Sequence, residues 1–258
     1  MSDTASPSVL VREEGPILVI TINRPQVRNA IDKGTAEALA VAFDELDSRP
    51  ELSIGIITGE GPSFCTGMDL KAFLAGERPT ARGRGFAGIV ERPPAKPVIA
   101  AVEGHAIAGG FEIVLACDLI VAGEGATFGL PEVKRGLVAA GGGLLRLPHR
   151  IPYHVAMEWT LTGRNVSAHE AHAAGLVARV TADGKALEAA RELAEQISAN
   201  GPLAVQASKT ILTRSRQWAD DEAFDRQREI SEPVRASADA REGATAFKEK
   251  RQPVWKGI

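Results

Sequence analysis

The stretch of residues 98–132 constrains the fold more than any other part of the chain. It begins with a short, apolar, β-branched run at Val98–Val102 (VIAAV), which is typical of a buried strand. Three glycines then allow the backbone to turn tightly: Gly104, Gly109 and Gly110. The apolar residues that start at Phe111 predict a helix packed inside the protein, and a further strand is predicted at 119–122. A buried strand, turn, helix and strand in this order favour an α/β fold.

Similar apolar runs alternate with helical patterns along most of the chain. Strands are predicted at 17–22, 53–58, 98–102, 119–122 and 176–180. Residues 35–47 form the clearest surface helix, because five apolar residues recur there with helical spacing: Ala36, Leu39, Ala40, Phe43 and Leu46. From about Ala186 onwards the pattern is helical, broken at Gly201-Pro202, and too polar to form a core by itself. The alternation supports an α/β fold with a helical C-terminal region.

Two glutamates lie beside the glycine-rich turn. Gly109 and Gly110 are predicted at or just before the N-terminus of the buried helix, where backbone amides lack partners and can stabilise an oxyanion. Glu112 then projects from the first turn of that helix. Glu132 follows a proline that suits the first position of a helix or turn. Either glutamate alone is more simply a cap or a complement to a helix dipole, but a second predicted tight turn at 64–70 favours a catalytic role.

Composition narrows the class of protein. The chain has 258 residues, of which 44% are hydrophobic, enough for one large core or a core with a small appendage. A net charge of −3 provides no basic field for nucleic acid. No apolar run reaches the length of a transmembrane helix, and the first residues, MSDTASPS, lack the features of a secretory signal. We therefore expect a cytoplasmic protein with no membrane partner.

Neither the cysteines nor the histidines form a metal motif. Cys65 and Cys117 lack metal or redox spacing and are expected in the core or in turns. His169 and His172 are three residues apart on a predicted helix, but no further ligand cluster accompanies them. The sequence therefore predicts no metal site.

Four ordered motifs resemble those of the crotonase, or enoyl-CoA hydratase/isomerase, superfamily. The first is INRP at 22–25 followed by Asn29-Ala30, and the second is SFCTGMDLK at 63–71. The third spans residues 96–132, and the fourth is FKEKR at 247–251. Any one of these motifs is a weak signal, whereas four in family order and spacing are a strong one.

The resemblance implies a spiral of ββα turns with a C-terminal helical trimerisation region. It divides the chain into a flexible tail at 1–8, a spiral core with the CoA and active sites at 9–195, and a helical oligomerisation region at 196–258. Relatives form homotrimers that often pair into hexamers, so the same assembly is expected here. The resemblance implies no cofactor, because coenzyme A enters as part of the thioester substrate.

The resemblance also assigns roles at the reacting centre. The backbone amides of Met68 and Gly109 match the two donors that hold the thioester carbonyl. Glu112 and Glu132 match the two acids that hold and activate water over the enoyl double bond. We assign Glu112 mainly to water activation and Glu132 mainly to the proton at the α-carbon, as a hypothesis. The implied reaction is hydration of a 2-trans-enoyl-CoA to a (3S)-3-hydroxyacyl-CoA.

CoA binding is implied for a second set of residues. By resemblance these are Thr66, Asp69, Leu70 and Lys71 near the second turn, with Phe247 and Lys250 from the C-terminal helix. In relatives the last two can reach the CoA of a neighbouring subunit. A cation near the CoA phosphates is physically sensible, although Lys250 is equally well explained as a solvated helix charge.

The chain departs from the family pattern after Glu132. Ala139 and Ala140 replace the usual Pro-Gly pair, which could alter water placement or the shape of the acyl site. Residues 78–92 match a region that shapes the acyl pocket in relatives, and their glycine and arginine content predicts mobility without ligand. Three alternatives stay open: a double-bond isomerase, a hydratase for a specialised acyl group such as a carnitine-derived one, and a non-catalytic CoA-thioester-binding oligomer.

Overall fold

Most strands of the protein are short. The computed structural model describes residues 6–258. In that part of the chain the strands are β1 (Val9–Glu14), β2 (Ile17–Ile22), β3 (Ile54–Gly59), β4 (Thr80–Ala81), β5 (Gly85–Phe86), β6 (Val98–Val102), β7 (His105–Ile107), β8 (Leu119–Gly123), β9 (Thr127–Gly129), β10 (Val166–Ser167) and β11 (Arg179–Thr181).

The helices fall between the strands and fill the C-terminal region. They are α1 (Lys33–Ser48), α2 (Leu70–Leu74), α3 (Gly109–Ala116), α4 (Gly143–Arg146), α5 (Tyr153–Thr162), α6 (Ala168–Ala173), α7 (Ala186–Ser198), α8 (Pro202–Arg214), α9 (Ala223–Ala236) and α10 (Ala238–Glu249). Short 3-10 turns cover Pro25–Val27, Pro131–Arg135, Leu147–His149 and Ser215–Gln217.

A six-stranded sheet in the order β1-β2-β3-β6-β8-β11 organises the core. Only β1 is antiparallel to its neighbour, and the other pairs are parallel. Parallel strands buried on both faces are apolar throughout, which explains why β6 is buried at every position. On one face, small alanines of α7 pack against β2, β3 and β6. On the other face, α1 and α3 contribute to the larger core cluster.

A second, smaller sheet gives the chain its spiral form. It has the order β10-β9-β7, and an isolated parallel bridge joins Cys65 to Ala106 of β7. After β3, β6 and β8, the chain therefore supplies in turn Cys65, β7 and β9 to this second layer. The repeated unit is a long strand, a short strand and a helix, as the family resemblance implies.

The sequence predictions of secondary structure agree with this architecture except at one strand. The strand at Val98–Val102 has the predicted bounds, and α1 and β3 differ from prediction by a residue or two. The strand predicted at 176–180 is wrong in position, because β11 covers Arg179–Thr181. Leu176 and Val177 are apolar because they enter the main core cluster, and not because they pair in a sheet.

The predicted divisions of the chain are only partly visible. Residues 1–5 of the predicted tail lie outside the described residues. Of the remainder, Pro7 and Ser8 accept hydrogen bonds from Asn23 through their carbonyl oxygens, at 2.9 and 2.8 Å. The boundary between 195 and 196 falls inside α7, which packs on the sheet as far as Ile197. Beyond Ser198 the chain continues into α8, whose Lys209 forms an ion pair with Asp118 at 2.6 Å.

Residues 78–92 were predicted to be mobile without ligand, and that mobility stays a prediction. They contain the β4–β5 hairpin and are held by Arg84, which is only 2% exposed. Its guanidinium forms an ion pair with Asp44 at 2.6 Å and donates a hydrogen bond to the carbonyl of Arg92 at 2.7 Å. The partner of Arg84 lies 40 residues away in sequence, so the glycine and arginine content of the segment could not indicate this contact.

No helix among residues 6–258 is both long and apolar enough to cross a membrane.

Candidate active site

Two tight turns that are distant in sequence meet at the centre of the site. The first is residues 64–70, and the second precedes α3. The amide of Cys65 donates to the carbonyl of His105 at 2.9 Å, and the amide of Ile107 donates to the carbonyl of Cys65 at 3.0 Å. Gly67 has φ of +96°, and a Cβ there would lie 3.1 Å from the amide nitrogen of Gly109. The turns that carry the two predicted oxyanion donors are therefore in contact.

The amides of Met68 and Gly109 are left without protein partners in the described part of the chain. Ile31 pairs with the residues on either side of Met68, accepting from Asp69 and donating to Gly67, both at 2.8 Å. Gly109 is the first residue of α3, where amides have no intrahelical acceptor. Both groups are therefore available to a ligand oxygen, and the N-terminal end of α3 adds a favourable dipole.

The residue before α3 has an unusual backbone. Ala108 has φ of 54° and ψ of −128°, a combination that L-residues rarely adopt, while its amide donates to Gly129 at 2.8 Å. Such conformations are held in place by their surroundings and cluster at functional sites. The turn is therefore fixed before any substrate binds.

The first sequence motif supports the turn at 64–70. Asn29 is fully buried, and its side-chain nitrogen donates to the carbonyls of Glu60 and Ser63 at 2.9 and 2.6 Å. Arg24 forms ion pairs with Asp32 and Asp69, both at 3.0 Å. Residues of this motif therefore hold the turn at 64–70 in place. The sequence alone did not indicate this role.

Glu112 lies in the first turn of α3, as predicted, and is 4% exposed. Its Oε1 accepts a hydrogen bond of 3.0 Å from the amide of Gly143. Burial raises the pKa of Glu112, while the amides of Gly143 and Gly141 and the charge of Arg146 partly oppose the rise. The amides and the Arg146 charge therefore favour the ionised carboxyl but do not outweigh the effect of burial.

Glu132 lies in the 3-10 turn Pro131–Arg135, with Pro131 at the predicted first position. Its Oε2 is buried and has no hydrogen-bond partner within residues 6–258. Burial raises the pKa of Glu132, and the nearby charge of Glu112 raises it further, although its own amide and Arg135 oppose this. The structure therefore brings the two predicted acids close enough for their charges to interact, in unlike environments.

Phe86 borders the oxyanion turn and was missed by the sequence reasoning. A Cβ placed on Gly109 would lie 2.5 Å from Cζ of Phe86, so the ring packs directly against this glycine. Gly141, Gly143 and Arg146 also surround Glu112 and were not assigned roles. They belong to the stretch where the chain departs from the family pattern, but nothing in their spacing indicates contact with a glutamate on α3.

Residues expected to bind CoA are divided between two places. Thr66 lies inside the first turn, Lys71 follows it, and Leu70 is 64% exposed. The carboxylate of Asp69 caps α2 by accepting from the amide of Lys71 at 3.0 Å. This cap and the ion pair with Arg24 occupy the Asp69 side chain, so it supports the turn. At the other end of the chain, Phe247 is 87% exposed and Lys250 ends α10.

The two substituted alanines have different surroundings. Ala139 is buried in the main core cluster, whereas Ala140 is exposed beside Gly141. Only Ala140 therefore lies where a changed side chain could meet solvent or substrate directly.

Comparisons with known proteins agree with this geometry. The family model described as enoyl-CoA hydratase/isomerase matches residues 12–258. The chain is 43% identical to the enoyl-CoA hydratase EchA19 of Mycobacterium tuberculosis, over 96% of each chain. It is 45% identical to a carnitinyl-CoA dehydratase of Salmonella heidelberg, over 98% of this chain and 99% of that one. A crystal structure of enoyl-CoA hydratase EchA1 from Mycobacterium marinum superposes with a TM-score of 0.96 at 58% identity, over 98% of this chain and all of that one.

Proposed function

Because this chain belongs to the enoyl-CoA hydratase/isomerase family, we propose that it adds water to 2-trans-enoyl-CoA, giving (3S)-3-hydroxyacyl-CoA. The observation that carries the proposal is the pairing of Glu112 and Glu132 beside the amides of Met68 and Gly109, which have no protein partner within residues 6–258. Isomerisation needs one proton taken and one returned to carbon, whereas hydration also needs a water held and deprotonated. Two acids in unlike environments are suited to hydration, because one can accept a proton from water while the other donates a proton to carbon.

The oxyanion donors act first. As the β-carbon is attacked, the electron pair of the double bond moves to the thioester oxygen, which becomes negative. The amides of Met68 and Gly109 would donate to this oxygen without reorganising. Loss of one such donor typically costs on the order of 100-fold or more in rate.

The two glutamates would move the protons. Glu112, whose carboxylate accepts from Gly143, removes a proton from water as the water oxygen bonds to the β-carbon. Glu132, whose Oε2 lacks a partner within residues 6–258, is suited to the protonated form and gives its proton to the α-carbon. The step leaves Glu112 protonated and Glu132 ionised, and exchange with solvent restores both. This division remains a hypothesis, because coupled acids titrate as a pair.

CoA binding is proposed at Thr66, Leu70 and Lys71, with Asp69 shaping the turn. We propose that Phe247 and Lys250 contact CoA bound to a neighbouring subunit of a homotrimer or hexamer. No further cofactor enters the reaction. Location in the cytoplasm also remains a prediction.

A specialised substrate is the second candidate, favoured by the similarity to a carnitinyl-CoA dehydratase. The two reactions share the oxyanion donors and differ in the acyl group, so the Phe86 and Ala140 surroundings would decide between them.

The test is the loss of enoyl-thioester absorbance when purified protein meets 2-enoyl-CoAs of increasing chain length, with product stereochemistry determined. Carnitinyl-CoA and a 3-enoyl-CoA complete the panel. Rapid formation of the (3S)-3-hydroxy product supports the proposal, and turnover of carnitinyl-CoA alone supports the second candidate. Conversion of 3-enoyl-CoA without net hydration would identify an isomerase, and CoA-thioester binding without turnover of any substrate would identify a binding protein.

A further inference from the structure

Arg146 connects residues 78–92 to the loop beside Glu112. It is the last residue of α4, and its guanidinium donates to the carbonyl of Val90 and, at 3.5 Å, to the carbonyl of Gly141. A Cβ on Gly142 would lie 2.2 Å from its Nη1, so the guanidinium lies against the loop backbone. Within residues 6–258 its donors pair with carbonyl oxygens and not with a carboxylate.

The loop that Arg146 holds contacts the Glu112 carboxylate directly. The amide of Gly143 donates to Oε1, and a Cβ on Gly141 would lie 2.5 Å from Oε2. The carboxylate therefore packs directly on the backbone of residues 141–143. A shift of this backbone would move the carboxylate, and misplacements of about 1 Å can cost roughly 100-fold in rate.

The charge of Arg146 also acts on Glu112. From α4, its positive charge favours the ionised carboxylate, which holds down the pKa of Glu112 against the effect of burial. From the 3-10 turn, Glu132 is the other charged group whose field couples to Glu112, and Arg135 in turn acts on Glu132. Among these groups, Arg146 is the cation that supports the base.

We propose that Arg146 is a positioning residue for catalysis, which fixes the Glu112 carboxylate by clamping the loop 141–143 to Val90. The inference rests on the proposed function, in which Glu112 activates water. It also links Glu112 to residues 78–92, which include Val90 and match the region that shapes the acyl pocket in relatives.

Arg150 offers a matched control. It is a second partly buried arginine, one helical turn later, and both arginines line the same cleft against α8. Its guanidinium donates to the carbonyl of Cys117 at 2.8 Å and holds no part of the Glu112 loop. A general effect of removing a partly buried arginine should therefore appear equally in Arg146→Gln and Arg150→Gln.

The experiment compares kcat, KM and their pH profiles for Arg146→Gln, Arg146→Lys and Arg150→Gln with the unaltered enzyme. We expect Arg146→Gln to lower kcat at least roughly tenfold, move the acidic limb to higher pH and leave KM nearly unchanged. Arg146→Lys should restore the acidic limb but not the full kcat, because one ammonium group lacks the planar fork that spans two carbonyls. Arg150→Gln should leave the acidic limb of the pH profile at its wild-type position.

Two outcomes overturn the inference. One is a wild-type kcat and acidic limb in Arg146→Gln, and the other is the same shift in Arg150→Gln. If Arg146→Gln does not fold, Arg146→Lys decides: a reduced kcat supports the clamp, and a wild-type kcat refutes it.

A measurement that does not depend on hydratase activity can test this inference separately from the proposed function. The protonated carboxyl of Glu112 can be titrated by infrared spectroscopy as the band that is lost in Glu112→Gln. In Arg146→Gln this band should persist to higher pH than in the unaltered protein, and an unchanged titration refutes the electrostatic role. If the unaltered protein hydrates no 2-enoyl-CoA, the proposed function fails while this titration still tests the contact.

Discussion

The amide of Gly143 donates a 3.0 Å hydrogen bond to Oε1 of Glu112. These residues are 31 positions apart, and the contact brings the start of α4 against the first turn of α3. Glu132, by contrast, keeps its Oε2 buried and without a partner in residues 6–258. Burial raises the pKa of both carboxyls, but only Glu112 has a backbone amide from a distant loop that opposes the rise.

Replacing either glutamate with glutamine should abolish most of the activity. We expect Glu112→Gln and Glu132→Gln each to reduce hydration at least about 100-fold, in the range of lost acid–base catalysis, with CoA-thioester binding nearly intact. Steady-state rates and equilibrium binding would measure the two effects. Glu124→Gln, an exposed glutamate after β8, is the matched control. Near-normal turnover in either active-site variant would remove that residue from the mechanism.

The pH dependence of the free energy of unfolding should reflect the raised pKa values of Glu112 and Glu132. Burial raises the pKa of Glu112 and of Glu132 above the ordinary 4.5, so the folded state holds these protons more tightly than the unfolded state. Their contribution to stability is fully present below pH 4.5 and is lost as pH rises through the raised pKa values.

The double variant Glu112→Gln/Glu132→Gln removes this dependence. Its free energy of unfolding relative to the unaltered protein should therefore improve as pH rises from acid to neutral. Urea unfolding at several pH values and one fixed protein concentration measures the difference. A difference that is flat or falls with pH contradicts the expectation.

Contact between Gly109 and Phe86 makes a further prediction. Gly109→Ala places a methyl group 2.5 Å from Cζ of Phe86 and should displace the oxyanion amide, with a loss on the order of 100-fold. Removing the ring in Phe86→Ala/Gly109→Ala should restore part of that loss, which a double-mutant cycle of kcat/KM would measure. Gly34→Ala on α1, where the nearest atom would be 3.8 Å away, should keep full activity. No recovery in the double variant would show that the ring is not the obstacle.

Arg84 should stabilise the conformation of residues 78–92. Arg84→Met loses hydrogen bonds to Asp44 and to the carbonyl of Arg92, so we expect a loss of about 2 kcal/mol in unfolding free energy. Hydrogen exchange of residues 79–92 should accelerate in the same variant. Arg82→Met, two residues earlier and exposed, should change stability by less than about 0.5 kcal/mol. Equal effects of the two changes would contradict the assigned role.

Local sequence patterns were sufficient to predict the strand, the helix and the turn that carry the residues of the candidate site. The apolar run at Val98–Val102 has the predicted bounds, and Gly109 begins a buried helix with Glu112 in its first turn. The position of Glu132 after Pro131 was equally readable. Strands buried on both faces and glycines before a helix are local signals, because each is set by neighbours within a few residues.

The sequence by itself determined the fold class, the order of elements and the placement of Glu112 and Glu132 at the starts of a helix and a 3-10 turn. Tertiary structure alone decided which backbone supports each acid, through contacts such as Gly143 to Glu112 and Arg146 to Val90, which lie 31 and 56 residues apart. It also decided that Arg84 is buried and that Leu176 packs in the core outside any strand. A hydrogen bond between residues so far apart depends on how the turns of the spiral stack and not on the neighbouring residues. It therefore produces no periodic pattern in the sequence.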